Sequence, residues 1–289
     1  MTLKFKMKLV QYMLSDHKYR IGVLKDDRII DFKSKFNFVP FLMVEFFASS
    51  SALNVAQEII DHPNSTYSME EVTLLPPIMK PDKVICIGLN YKNFCDEIHT
   101  GCPEEPVAFS KFPSCITGPY SEIKLPTISN QVDWEIELAV VIGRKAQNVQ
   151  AKDAYDYVLG YTIAQDISAR DWQARNGGQY LLSKSMETFC PLGPYIVTKD
   201  EIPDPHNLTL RCFVNGELKQ EGNTGDMIHK IDKLIEHLSS VTILYPGDLI
   251  LTGTPSGVGY YRDPPEYLRK GDILESEIEG IGRMVNHVV

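Results

Sequence analysis

The apolar and polar positions in the first quarter of the chain predict strands followed by helices. Between residues 8 and 32, short apolar runs alternate with polar breaks, which predicts hairpin-linked strands near residues 9–14, 19–24 and 28–32. Between residues 40 and 62, apolar residues recur at helical spacing, which predicts one or two short helices. Pro76 and Pro77 then mark a boundary. We therefore predict a small N-terminal β/α module over residues 1–75 and a larger domain over residues 76–289.

The larger domain consists mainly of short apolar, often β-branched runs separated by turn residues. Such runs predict strands, here at residues 84–87, 138–142, 158–163, 208–214, 249–251 and 273–278. One separator is Asn215-Gly216, a pair typical of tight hairpin turns. Many short strands and few long helices predict a mostly β (α+β) fold, built as a barrel or a rolled sheet.

Composition and charge exclude several functional classes. The 289 residues are 43% hydrophobic, as in an ordinary globular protein, and the formal net charge is -9. Because this charge repels phosphate groups and no long run of Lys or Arg offsets it, we expect neither nucleic acid nor an anionic membrane as partner. The six cysteines lack paired spacing, which favours reduced thiols inside a cell. We see no clear targeting signal, so cytoplasm and mitochondrial matrix both stay open.

A cluster of acidic residues is the first sign of chemistry. Residues 132–138 alternate strictly, so Asp133, Glu135 and Glu137 should share one face of a strand. Such a face is most often solvated. However, the strand continues into an apolar run typical of a sheet interior, where three like charges would repel each other unless a cation bound them. Carboxylate oxygens suit Mg²⁺, Mn²⁺ or Ca²⁺ better than zinc. The pattern alone leaves both interpretations open.

A second group of polar residues follows the predicted strand that ends at Asp166. The next residues, 167–173, predict a helix, so Asp166 could cap that helix or bind a metal. The helix would carry Gln173 and also Arg170, whose guanidinium can clamp a substrate carboxylate. Lys184 lies further along the chain, and a lone lysine is most often a surface charge.

Taken together, four blocks resemble the signature motifs of the fumarylacetoacetate hydrolase superfamily, in the same order. The blocks are Asp133-Trp134-Glu135-Ile136-Glu137-Leu138, residues 165–173, Ser183-Lys184-Ser185 and Leu251-Thr252-Gly253-Thr254-Pro255. The likeness extends from about residue 80 to the C-terminus and is strongest to one animal branch of the superfamily. It implies a mixed β-sandwich roll that forms a homodimer.

The resemblance also implies roles for the residues of these blocks. Glu135, Glu137 and Asp166 would bind Mg²⁺ or Mn²⁺, with Ca²⁺ as a further option. The residues implied to line the pocket for a small 2-oxo acid substrate are Arg170, Gln173, Lys184 and Thr254.

One segment departs from the family pattern. The family's lid reads Gly-x-Asn-Tyr-x-x-His-x-x-Glu, in which the His and Glu activate a water molecule. In this chain Glu97 is kept but Phe94 stands at the histidine position. Phe cannot accept a proton, and loss of a general base typically costs about 10²- to 10⁴-fold in rate. His99 would lie about 140° around a helix from Phe94, so it is a poor substitute.

The possible reactions can be ranked by whether they need the general base that Phe94 replaces. Keto–enol tautomerisation of oxaloacetate, an activity associated with one branch of the family, requires a stabilised enolate and a proton shuttle but no activated water. We rank it first, with Lys184, Glu97 or metal-bound water as the shuttle. A carbon–carbon hydrolase or a decarboxylase of acylpyruvate or oxaloacetate type ranks lower. The third alternative is a metal-binding pseudoenzyme, because Phe94 replaces the histidine.

Overall fold

The computed structural model describes residues 4–289, apart from the side chain of Asn176. Strands dominate it and form three sheets, of twelve, two and four strands. The strands are β1 Lys8–Met13, β2 Tyr19–Lys25, β3 Arg28–Asp31, β4 Thr66–Ser68, β5 Thr73–Leu75, β6 Val84–Gly88, β7 Val107–Lys111, β8 Ile116–Thr117, β9 Val132–Asp133, β10 Ile136–Ile142, β11 Val158–Gln165, β12 Ser168–Ala169, β13 Cys190–Thr198, β14 Thr209–Val214, β15 Glu217–Asn223, β16 Leu249–Leu251, β17 Ile273–Ile278 and β18 Gly282–His287.

Helices are short and lie in the connections between strands. The α-helices are α1 Met43–Phe47, α2 Ala52–Asp61, α3 Lys92–Glu97, α4 Arg170–Gln173, α5 Tyr180–Lys184 and α6 Ile231–Val241. Short 3₁₀ helices occupy Met69–Glu71, Pro113–Cys115, Ala151–Tyr157, Arg175–Gly177, Lys199–Glu201, Thr224–Asp226 and Gly259–Tyr261. None of the helices in residues 4–289 combines the length and the apolar character needed to cross a membrane.

The N-terminal strands and helices form as predicted, and their sheet continues into the rest of the chain. β1 pairs with β2 on one side and antiparallel with β13 on the other, where Leu9 lies opposite Ile196. The twelve-stranded sheet therefore runs in the order β4-β3-β2-β1-β13-β11-β10-β16-β6-β7 through both parts of the chain, with β5 and β8 paired at β1 and β13. The division into residues 1–75 and 76–289 stays a prediction.

A four-stranded sheet packs against the centre of the large one. Its order is β15-β14-β17-β18, and its strands contact β10, β11 and β13. Every residue of β10 and β11 is buried between these layers. The predicted turn joins β14 to β15, and both of its residues have positive φ, 53° at Asn215 and 78° at Gly216, as a tight hairpin turn requires. The prediction of a mostly β fold is confirmed.

Two local predictions beside the acidic residues are wrong in detail. Residues 132–138 do not form one strand, because the chain leaves the ladder at Trp134 and Glu135. The backbone N–H groups of these two residues bond instead to side-chain oxygens of Asp133 (2.8 Å) and Gln165 (2.9 Å). The helix predicted over residues 167–173 starts only at Arg170, because Ser168–Ala169 pairs as β12 with β9.

Candidate active site

Three buried carboxylates converge beside the ends of β10 and β11. Glu135 precedes β10, Glu137 lies within it, and Asp166 directly follows β11. The register pairs Ile136 with Gln165, and the N–H of Asp166 donates to the Glu135 carbonyl at 2.9 Å, so the two acids lie opposite each other. One oxygen from each of the three carboxylates lies within 4.8 Å of the others. An all-oxygen, negatively charged donor set of this size fits a hard divalent cation.

Asp133 does not join this cluster, although the alternation placed it on the same face. Its carboxylate accepts the N–H groups of Gly259 (2.7 Å) and Tyr260 (3.0 Å). It also binds Arg170, whose Nε donates to Asp133 Oδ2 at 2.8 Å. Arg170 Nη2 lies between this carboxylate and that of Glu135, at 2.8 and 2.6 Å. Asp133 therefore orients Arg170.

Two buried lysines balance the charge of the acids. Lys184 Nζ lies 2.8 Å from Glu135 Oε2 and 2.8 Å from Asp166 Oδ2, while Lys111 Nζ lies 2.7 Å from Asp166 Oδ1. Burial by itself would raise the pKa of Asp166, but the ammonium groups of Lys111 and Lys184 outweigh it and hold this pKa below its ordinary value. Burial lowers the pKa of Lys184, yet Asp166 and Glu135 together keep it above the usual range. The interpretation of Lys184 as a surface charge is therefore wrong.

Glu137 is the acid with the least local compensation. Its Oε2 accepts the N–H of Gly253 at 2.6 Å. Burial first, and then the charges of Asp166 and Glu135, raise the pKa of Glu137 well above its ordinary value. A carboxylate in this environment is stabilised in its ionised form by a nearby positive charge. The electrostatics of the cluster therefore favour a cation.

Arg170 and Gln173 lie on one short helix at the edge of the site. Arg170 Nη2 is 2.6 Å from Glu135 Oε1 and 2.8 Å from Asp133 Oδ2. Arg170 Nη1 donates to Gln173 Oε1 at 3.0 Å. These three partners fix the guanidinium in one orientation.

A cavity of about 170 Å³ is lined by Glu135 and Glu137 of the cluster, though not by Asp166, and by further polar and apolar residues. Its polar residues are Glu135, Glu137, Arg170, Gln173, Lys184 and Thr254. Its apolar wall includes Phe94, Ile98, Val107, Phe109 and Tyr261. A wider depression of about 980 Å³ lies elsewhere, between α1 and Tyr245, and holds none of the predicted site residues. The small cavity suits a small anionic molecule with an apolar side.

Thr254 reaches the cavity, but its hydroxyl is already engaged. Thr254 Oγ1 donates to the Ile136 carbonyl and accepts from Gln220 Nε2, both at 2.8 Å. The hydroxyl proton is thus bound to the protein backbone. The resemblance implies that Thr254 lines the substrate pocket, and donation of its hydroxyl to a substrate would require it to leave Ile136.

Helix α3 carries both residues at the positions of the family's His–Glu dyad, Phe94 and Glu97, but only Phe94 lines the cavity. Phe94 is buried, lines the cavity and packs edge-on against Tyr261, with ring centroids 5.8 Å apart. Glu97 accepts the N–H of Gly257 with both oxygens, at 3.0 and 3.1 Å, and is not among the lining residues. His99 is exposed and lies beyond the end of α3. The structure therefore brings Lys184 to the cavity, but not Glu97 or His99.

The sequence analysis missed Lys111. This residue ends β7 and is 0% exposed, although Phe112 beside it is exposed. Its partner Asp166 is 55 residues away in the sequence. A single lysine before a proline-containing loop has no local feature that marks it as buried, so only the tertiary structure could identify it.

Comparisons with known proteins agree with this geometry. Residues 83–289 match the family described as fumarylacetoacetate (FAA) hydrolase, C-terminal. The chain is 51% identical to the mitochondrial oxaloacetate tautomerase Fahd2a of Rattus norvegicus, over 87% of this chain and 80% of that protein. Fumarylacetoacetate hydrolase from Exiguobacterium antarcticum superposes with a TM-score of 0.87 at 34% identity, covering 98% of this chain and 99% of the other. Maleylpyruvate hydrolase from Sphingobium sp., solved with manganese(II) and pyruvate, superposes with a TM-score of 0.81 at 29% identity, over 98% and 99%.

Proposed function

Because the chain belongs to the fumarylacetoacetate hydrolase family, we propose that it is a divalent-metal-dependent enzyme that interconverts the enol and keto forms of oxaloacetate. One observation carries this proposal: three buried carboxylates converge, two of them line a small cavity with Lys184 and Arg170, and Phe94 stands where a general base would be required for hydrolysis. Relatives that are 48–51% identical to this chain are named oxaloacetate tautomerases, and their names support oxaloacetate as the substrate.

The carboxylates of Glu135, Glu137 and Asp166 would hold Mg²⁺ or Mn²⁺. When bound there, the cation supplies a Lewis acid that stabilises negative charge on the substrate oxygen. The manganese in the related maleylpyruvate hydrolase supports this assignment of the site. Arg170 is fixed by Asp133 and faces the same cavity, so its guanidinium would bind a carboxylate of the substrate.

The reaction needs one proton to move within the substrate. In the enol-to-keto direction, carbon 3 gains a proton and the hydroxyl oxygen on carbon 2 loses one, so no co-reactant is consumed. A single group that gives and then recovers a proton completes this balance. Lys184 is such a group, because its ammonium lines the cavity beside Glu135. Glu97 is the second candidate, and its use requires the carboxylate to leave Gly257.

Hydrolysis and decarboxylation of related 2-oxo acids are the alternative reactions. Both depend in the family pattern on the histidine that is Phe94 in this chain. Phe94 and Tyr261 form an aromatic wall at this position, which offers an attacking water molecule no proton acceptor. A pseudoenzyme that binds metal without turnover is the remaining alternative.

The test is a spectrophotometric assay in which enol-oxaloacetate is added to the purified chain with and without Mg²⁺. We expect metal-dependent loss of the enol absorbance above the buffer rate, and Glu135→Ala should abolish the enzymatic part. Decay equal to that in buffer, across several 2-oxo acids and with metal bound normally, would instead identify a pseudoenzyme. Pyruvate released by the unaltered chain would favour decarboxylase activity.

Assembly and compartment are proposed on the same grounds. The family resemblance supports a homodimer, which light scattering coupled to size-exclusion chromatography would detect as twice the 32.7 kDa chain mass. Relatives are named mitochondrial, so we propose the mitochondrial matrix. Fractionation of cells that express the natural protein tests this location.

A further inference from the structure

Each carboxylate of the cluster has at least one oxygen held by a donor of the protein. Gly253 N–H holds Glu137 Oε2 at 2.6 Å, and Lys184 Nζ holds Glu135 Oε2 at 2.8 Å. Asp166 is held at both oxygens, Oδ1 by Lys111 Nζ at 2.7 Å and Oδ2 by the cavity-lining Lys184 at 2.8 Å. Protein donors therefore restrain all three groups from turning both oxygens toward a common ion.

Lys111 differs from Lys184 in where it approaches the cluster. Lys184 lines the cavity, whereas Lys111 is not among the lining residues and is 0% exposed. Its ammonium also donates to the carbonyl of Ile167 at 3.2 Å. Lys111 lies opposite Val84 in the β6–β7 register, and its ammonium holds the Asp166 oxygen that Lys184 does not contact.

We propose that Lys111 is a positioning residue that keeps Asp166 a one-oxygen ligand and thereby makes the site select Mg²⁺ or Mn²⁺ over Ca²⁺. Mg²⁺ requires a near-octahedral set at short distances, whereas Ca²⁺ takes six to eight oxygens and often binds carboxylates through both. A carboxylate fixed at Oδ1 supplies the first arrangement more readily than the second. This inference rests on the proposed function, since it concerns the same metal site.

The experiment measures metal affinity of the full chain after chelation of bound metal. Mn²⁺ and Ca²⁺ binding are followed by calorimetry, and Mn²⁺ also by electron paramagnetic resonance. We expect the unaltered chain to bind Mn²⁺ at least about 10-fold more tightly than Ca²⁺. Partners that orient ligating groups typically contribute about 10- to 100-fold in metal affinity, so Lys111→Met should lose about that factor for Mn²⁺. The Ca²⁺ affinity of Lys111→Met should change less, so the ratio of Mn²⁺ affinity to Ca²⁺ affinity should be smaller than in the unaltered chain.

Two further variants separate positioning from general damage. Lys111→Gln keeps a hydrogen-bond donor without the charge and should retain more of the selectivity than Lys111→Met. Lys219→Met is the matched control, because Lys219 is a buried lysine paired with Glu217 and Glu266 away from the cluster. It should leave both affinities unchanged.

The outcomes distinguish this inference from the proposed function. Two outcomes would overturn the role of Lys111: an unchanged ratio of Mn²⁺ to Ca²⁺ affinity in Lys111→Met, or tighter binding of Ca²⁺ than of Mn²⁺ by the unaltered chain. Neither outcome would contradict the proposal that the chain is a metal-dependent enzyme. Absence of any divalent binding to the unaltered chain overturns the proposed function itself. If Lys111→Met does not fold, the ratio in the unaltered chain and in Lys111→Gln still decides the matter.

Discussion

The floor of the cavity and its lid are held in different ways. The floor consists of Glu135, Glu137 and Asp166 with the two buried lysines, and charged contacts of 2.7–2.8 Å link all of these residues except Glu137. The lid is α3, Lys92–Glu97. It is anchored before its start by Asn90, which donates to the Thr252 carbonyl at 2.8 Å, and at its end by the contact of Glu97 with Gly257.

This difference separates two functions of the site. In the floor, the two lysines pair with Glu135 and Asp166, so a substitution of one of these four residues leaves another buried charge with fewer partners, which is costly. In the lid, Phe94 contributes an aromatic contact to the cavity wall and carries no charge. We therefore expect the floor to determine whether a cation and a 2-oxo acid bind. We expect the lid to determine whether water can attack, so that a change in the lid should leave the proposed metal site intact.

We expect the largest effect at Glu137, the acid of the floor with the fewest hydrogen-bond and ion-pair partners. Glu137→Ala removes one of three ligands and leaves the N–H of Gly253 without its acceptor. We expect Mn²⁺ binding and metal-dependent tautomerisation both to disappear, as measured by calorimetry and by the enol assay. The control is Glu279→Ala on the surface. Full metal affinity in Glu137→Ala would show that the floor does not act as one unit.

The second prediction distinguishes two roles of Lys184, its positive charge and its proposed transfer of a proton. Lys184→Met should lower kcat by about 10²- to 10⁴-fold, the usual contribution of a positioned acid or base. Lys184→Arg keeps the positive charge beside Glu135 but cannot give up its proton, so it should not restore kcat. The measurement is the initial rate of enol loss at saturating Mg²⁺. Near-normal turnover in Lys184→Arg would leave Lys184 with a purely electrostatic role.

The family resemblance predicted the three acids of the floor, since their spacing alone left a solvated face and a helix cap as alternatives. The structure gives the physical basis of the grouping: Glu135 and Glu137 lie at the start of β10, Asp166 directly follows β11, and antiparallel pairing of the two strands brings the acids together. Asp133 follows the same alternation, but the strand breaks after it. The break depends on Gln165, a residue of the neighbouring strand, which local alternation cannot reveal.

The remaining features depend on contacts between distant parts of the chain. The burial of Lys111 depends on Asp166, and the engaged hydroxyl of Thr254 depends on Gln220 and Ile136. No nearby residue signals either contact. The lid could be predicted only in part. The replacement of the family's histidine by Phe94 is visible in the sequence, whereas the binding of Glu97 to Gly257 is not.

A smaller expected effect concerns the lid alone. Phe94→His places an imidazole at the cavity wall in place of the contact with Tyr261. We expect tautomerisation to stay within about 10-fold of the unaltered rate, because the floor is unchanged, while hydrolysis or decarboxylation of acylpyruvates or oxaloacetate rises by up to about 10²-fold. Product analysis by chromatography measures both. Phe94→Tyr is the matched control, and no gain beyond it would mean that the lid position does not select the reaction.

The smallest effect is expected at Glu97, and it tests whether the lid takes part in proton transfer at all. Glu97→Gln removes the charge but keeps an oxygen that can accept the N–H of Gly257, so the lid should stay anchored. If Lys184 carries the proton, kcat for enol loss should change by less than about threefold, far below the 10²-fold or more expected for loss of a general base. Asp96→Asn, an exposed carboxylate on the same helix, controls for the change in charge. A 10²-fold fall in Glu97→Gln, with Asp96→Asn unaffected, would transfer the role of shuttle from the floor to the lid, and α3 would then have to release Gly257 during each turnover.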